Sequence, residues 1–142
     1  MFSTLVDPPR ILLLHCGGND LGIVHSHIIR IQIVQIMKAI REMMPNTRLV
    51  WSQILPRINW RYSNNQWAME AVRKRINSFA GKHVIQLGGG YIKYPQINLS
   101  DPSVFDVDGV HLSVKGNQIF VNNIKLALLS FTNTKETVYP RF

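Results

Sequence analysis

The chain of 142 residues is 46% hydrophobic and 17% charged, which is enough apolar surface for one folded domain with a modest core. Sixteen Lys and Arg stand against eight Asp and Glu, and the resulting net charge of +8 points to polyanionic partners or to a solvated basic surface. One cysteine, Cys16, excludes an internal disulfide, and no apolar run approaches the roughly 20 residues that cross a bilayer.

Residues 1–9 form a short lead-in. Asp7-Pro8-Pro9-Arg10 breaks any secretory leader, so with its lone cysteine the chain is expected to be intracellular and cytoplasmic. Ile11–Leu14 is a continuous apolar run, as in a strand buried on both faces of a parallel sheet. It stops at Gly17-Gly18-Asn19-Asp20-Leu21-Gly22. From about His25 to Met44, apolar residues at Ile29, Ile33, Ile36, Met37, Ile40 and Met44 predict a helix with one buried stripe, ended by Pro45-Asn46.

Arg48–Leu55 reads as a second strand closed by Pro56-Arg57, and Ile58–Ser63 as a loop. A second helix is predicted from about Asn65 to Ala80, with Met69, Val72, Ile76 and Phe79 inward, Arg73-Lys74-Arg75 outward and Gly81 as its stop. His83–Leu87 then reads as a third strand ended by Gly88-Gly89-Gly90. Tyr91 to about Leu112 is irregular, a length of loop that tends to carry function. Ser113–Phe131 is a final helix with Phe120, Ile124, Ala127, Leu128 and Phe131 inward, and residues 132–142 are a loose tail. Three strand–helix units in succession predict an α/β domain over residues 10–131, with a parallel sheet and right-handed crossovers.

Two constellations carry chemistry. Gly17 and Gly18 leave space beyond the first strand, Asn19 offers an amide donor there, and Asp20 can tie the turn; the same residues are also ordinary turn chemistry. Asp108-Gly109-Val110-His111 lies just before the last helix, where the carboxylate can fold back onto the imidazole and leave the far ring nitrogen as a base. An Asx-type turn leading into a helix capped by Ser113 accounts equally for that second pattern.

Taken together, in this order and in an α/β context, the two motifs resemble the SGNH (GDSL-type) hydrolases, most closely the esterase-like domains of LINE-type retrotransposon proteins. Val50–Arg57 looks like the strand that family places between them, and the likeness covers roughly residues 10–131. It implies a flavodoxin-like three-layer αβα fold and a serine esterase acting on a small-molecule or lipid ester without a cofactor. By resemblance His111 is the general base, Asp108 orients it, Asn19 is an oxyanion-hole donor, and Gly17, Gly18 and Asp20 contact substrate.

The likeness has a gap. The family's nucleophile is the Ser of an early Gly-Asp-Ser motif, and this sequence has none. The strands that carry it are missing too, leaving about three. Ser3 lacks a strand to hold it, Ser26 opens a helix, Ser52 lies inside a strand and Cys16 reads as a small core residue, so none stands in as the nucleophile. The expectation is a truncated or degenerate member with little or no turnover. A second reading takes the chain as a basic nucleic-acid-binding module with Arg57, Arg61 and Arg73-Lys74-Arg75 as its contact face, where Trp51, Trp60 and Trp67 either stack on bases or pack internally. No metal site is expected, because His25 and His27 at i,i+2 point apart on a helix and His15 stands alone.

Overall fold

The computed structural model describes residues 7–141. Four strands, β1 (Ile11–Leu14), β2 (Arg48–Ser52), β3 (Gly90–Ile92) and β4 (Val138–Tyr139), pair in parallel in the order β1-β2-β3-β4. Three helices connect them, α1 (Ser26–Met43), α2 (Gln66–Gln86) and α3 (Val114–Asn133). The class is therefore α/β, as expected.

Side chains alternate across the sheet and divide the core in two. On one face Leu12, Leu14, Leu49, Trp51 and Tyr91 meet α1 and α2 through Ile29, Ile33, Met37, Ile76, Ala80 and Val84. On the other, Ile11, Leu13, Val50, Ile92 and Tyr139 meet α3 through Ala127 and Phe131. The chain steps across the sheet in one direction while α1 and α2 cover one face and α3 covers the other. The third connection therefore has the opposite hand to the first two, so the expectation of uniformly right-handed crossovers fails there. That connection runs through a long irregular excursion before α3 and ends in a strand of two residues, so the direct strand-to-helix passage that normally imposes the right hand is absent there.

Several expected elements are corrected. The run read as a third strand, His83–Leu87, is the last turn of α2, His83–Gln86, with Leu87 as its cap. Ile76, Ala80 and Val84 recur at i, i+4 and i+8 and are fully buried, so packing overrides the β-branched composition. Gly81 does not stop the helix. It lies against Tyr91, where a Cβ would come within 2.7 Å of the ring. The stop is Gly88 at φ +81°, just past the Leu87 cap. The segment read as a loose tail supplies β4, and its Thr137 and Tyr139 carbonyls accept from Tyr91 N and Lys93 N at 2.8 and 2.7 Å.

β2 ends at Ser52 rather than Leu55 because buried Asn77 redirects the chain. Its Oδ1 accepts from Ile54 N at 2.8 Å and from Trp51 Nε1 at 3.2 Å, while its Nδ2 donates to Ile54 O at 3.0 Å. Arg73, expected on the outer face, is 7% exposed; it forks onto Glu70 at 2.7 and 2.8 Å and donates to Ile54 O at 2.9 Å. Ile36, expected inward, is exposed on the flank of α1. None of the helices among the described residues is long and apolar enough to cross a membrane.

Candidate functional site

Three strand-end loops meet beyond the carboxyl edge of the sheet, where ligands collect in open α/β folds. After β1 the chain turns at Gly17, whose φ of +104° suits only glycine, and continues as a single 3-10 turn over Gly18–Asp20. After β2, Ile54–Arg57 runs beside it. The two segments enclose a cleft of about 540 Å³, lined by Cys16, Gly17, Gly18, Asn19, Asp20 and Arg57 among others, with Val110 from the third loop in its wall.

Arg57 sets the orientation of Asn19. Its Nη2 donates to Asn19 Oδ1 at 2.9 Å. A guanidinium can only donate, so the amide oxygen must face Arg57, and Nδ2 is left as the free donor. The guanidinium lies over the Trp60 ring at 5.1 Å and fills the space above Gly18, where a Cβ would come within 2.7 Å of it. Burial pulls the Arg57 pKa down from its ordinary value.

The third loop is a small hairpin closed by Asp106 N donating to His111 O at 2.8 Å. Asp108 stands at its tip and uses both carboxylate oxygens. Oδ1 accepts from Val110 N and His111 N at 2.8 and 2.9 Å, and Oδ2 takes His111 Nδ1 at 2.5 Å. The hydrogen bond from His111, then those from the two amides, hold the Asp108 pKa down at about 2. A carboxylate ionised to that extent accepts only, so Nδ1 carries the proton and Nε2 is available as a base. Nε2 makes no hydrogen bond among the described residues, and the side chain is 78% exposed. Ser113 caps α3 by accepting from Gly116 N at 3.1 Å. The Asx-type turn and the Asp–His pair, alternatives in the sequence, are one structure.

This hairpin is fastened to the segment that carries Arg57. Gly109 O accepts from Ile58 N and Asn59 N at 2.8 and 3.0 Å, and Asn59 Nδ2 donates to Asp108 O at 2.9 Å. Asn19, Asp108 and His111 are thus brought to one end of the sheet through Arg57–Asn59. His111 itself does not line the cleft; its chain neighbour Val110 does. Sequence reasoning missed Arg57 and Asn59 as members of this site. Their only sequence signal was position, directly after the second strand.

Of the residues weighed as nucleophiles, Ser3 lies outside the described residues. Ser26 is the first residue of α1. Ser52 is fully buried beneath the cleft, held between His15 Nδ1 at 2.9 Å and Tyr94 OH at 2.5 Å. Burial pushes the Tyr94 phenol up to about 12, against the smaller opposing effect of its bond to Ser52. Burial likewise lowers His15, so the ring favours its neutral form. Cys16 is exposed in the cleft, but burial of its sulfur and then the nearby Asp20 charge push the thiol pKa up, away from a reactive thiolate. No serine lines the cleft among the described residues. His25 caps α1, its Nδ1 accepting from His27 N at 3.2 Å, and the described residues contain no cluster of three or more potential metal ligands.

No family model and no curated protein matches this sequence. Solved structures do. The esterase domain of the ZfL2-1 ORF1 protein from the zebrafish ZfL2-1 retrotransposon superposes with a TM-score of 0.63 at 22% identity, over 90% of this chain and 73% of its own. A protein assigned as a GDSL-like lipase from Parabacteroides merdae gives 0.66 at 18% identity, over 84% of this chain and 60% of its own. One assigned as a platelet activating factor from Streptococcus pneumoniae gives 0.57 at 19%, over 84% of this chain. The chain spans 59% of that last structure and so falls short of two thirds of both bacterial proteins. With its parallel sheet and three helices, this chain has the SGNH/GDSL-like fold of those esterase and lipase domains.

Proposed function

We propose that the cleft is the ester site of an SGNH-type hydrolase, in which His111 is the general base, Asp108 orients it and Asn19 Nδ2 is an oxyanion donor. Gly17, Gly18 and Asp20 border the bound ester, which belongs to the small-molecule or lipid class. The observation that carries this reading is the fastening of Asn19 and of the Asp108–His111 hairpin to one short segment, Arg57–Asn59. Such preorganisation is what an oxyanion donor and a base require, and one donor of this kind is worth on the order of 10²–10³ in rate.

An attacking hydroxyl is the missing part. With Ser52 buried, the Cys16 thiol held protonated and no serine in the cleft, this chain binds an ester but turns it over little or not at all. Two measurements test the two halves of the proposal. Titration with an unreactive phosphonate ester, followed by NMR, is expected to move the Gly18, Asn19 and Val110 amides; shifts confined elsewhere remove the site. Fluorophosphonate labelling read by mass spectrometry is expected to modify no serine, with p-nitrophenyl ester hydrolysis equal to that of buffer. A labelled serine, with a rate abolished in His111→Ala, overturns the inactivity and names the nucleophile.

A further inference from the structure

The outer face of α2 is built differently from the remainder of the surface. A shallow groove of about 770 Å³ runs along it, and its charged lining residues are all cations: Arg30 from α1, and Lys74, Arg75 and Lys82. Glu70, the only acid of α2, is consumed by buried Arg73. None of the four groove cations takes part in an ion pair among the described residues. Arg30 is the most unusual of them. Its Nε is buried without a hydrogen-bond partner, and its guanidinium rests 5.6 Å from the Phe79 ring centre instead of on a carboxylate. Phe79 in turn lies parallel to His83, with ring centres 6.3 Å apart.

On the same stripe of α2, two turns before Lys74, stands Trp67. It is 82% exposed, whereas Trp51 and Trp60 are buried. Trp67, Lys74, Ser78 and Lys82 recur at helical spacing, so the stripe from Trp67 to Lys82 is roughly 22 Å long. Trp67 is the only exposed large hydrophobic side chain of α2 among the described residues. A planar aromatic at the end of a cationic stripe suits base stacking and phosphate contact; the apolar side chains that line the groove beside the cations, Phe79, Ile85 and Tyr91, are only partly exposed, and Ile31 of α1 is the exposed aliphatic next to Arg30.

We propose that this face binds single-stranded nucleic acid, with Arg30, Lys74, Arg75 and Lys82 against phosphates and Trp67 stacked on a base. This relocates the basic-module reading from Arg57 and Arg73, which the structure uses internally, to the outer face of α2, whose groove shares no lining residue with the cleft beside Asn19, although its Trp67 end follows Gln66, which donates to Arg57 O at 3.3 Å. It does not depend on the ester reading.

The test is fluorescence anisotropy of the full chain with a labelled single-stranded RNA oligonucleotide, at 50 and 200 mM salt. Four neutralised phosphates give a log–log salt slope of about −2.8, so affinity falls roughly fiftyfold over that range. Reversing two charges, Arg75→Glu with Lys82→Glu, is expected to weaken binding more than tenfold and to flatten the slope. Trp67→Ala is expected to weaken it about tenfold and to leave the slope unchanged. Arg10→Glu with Lys125→Glu, both away from α2, is the charge-matched control and leaves binding intact. All of these side chains are exposed or partly so, and circular dichroism verifies the fold of each variant. Binding unaffected by the α2 variants overturns the proposal. So does capture by phosphatidylserine vesicles without affinity for the oligonucleotide, which identifies a membrane surface instead.

Discussion

Asp108 is the residue on which most of the third loop depends. One carboxylate orders two backbone amides and an imidazole, and its pKa lies at about 2 rather than at the ordinary 3.8. A depressed carboxylate pKa stabilises the folded loop above the ordinary value, and that contribution is lost as pH falls through the folded one. NMR of the Val110 and His111 amides should therefore show a transition with its midpoint near 2. In His111→Gln the midpoint should rise, because the largest cause of the depression is the bond from the histidine. A midpoint of 3.8 in the unmodified chain contradicts the pairing. At this scale the sequence was informative: Asp108, Gly109 and His111 were legible because hairpin, carboxylate and ring lie within four residues. Arg57 and Asn59 were not, since their partners Asn19 and Asp108 are 38 and 49 residues away and no local pattern signals such a bond.

Among the elements, α2 shows how a local rule yields to packing. Glycine within a helix costs up to about 1 kcal/mol relative to alanine, so Gly81 reads as a stop. In the structure the missing Cβ is what lets α2 lie on Tyr91, whose phenol accepts from Gln53 Nε2 at 3.0 Å. Gly81→Ala gains the helix propensity but forces the ring aside, an overpacking that costs about 1–3 kcal/mol. Net destabilisation is expected in urea denaturation, with near-UV circular dichroism altered at the tyrosine; a more stable variant returns Gly81 to a merely tolerated helix residue. α1 and α3 were readable because their apolar spacing is regular and their caps are local, as with Ser113. β3 and β4 were not, because strands of three and two residues carry no period, and β4 exists only by pairing with β3.

For the whole molecule, the sheet order leaves β1 at an edge. All four of its apolar side chains are only half-buried, and α1 exposes Ile28 and Ile36 on the flank turned away from α2. An apolar edge with an apolar flank associates, and the net charge of +8 opposes it at low salt. Sedimentation is expected to show association that grows with concentration and with salt, and that Ile28→Lys with Ile36→Lys reduces. A chain monomeric at every salt concentration removes that expectation. The sequence conveyed the class of the molecule through Ile11–Leu14 and the two motifs, yet said nothing of which strand would be at the rim. The bonds from Ile58 and Asn59 to Gly109 have one more consequence, for the order in which the chain acquires its cleft. They join segments some 50 residues apart, so closing that loop is an entropic step the helices alone do not reward. Amide hydrogen exchange at Ile58 and Asn59 then becomes a clock for the assembly of the site. These two protons should gain protection after those of α1, and in the native protein should open without it.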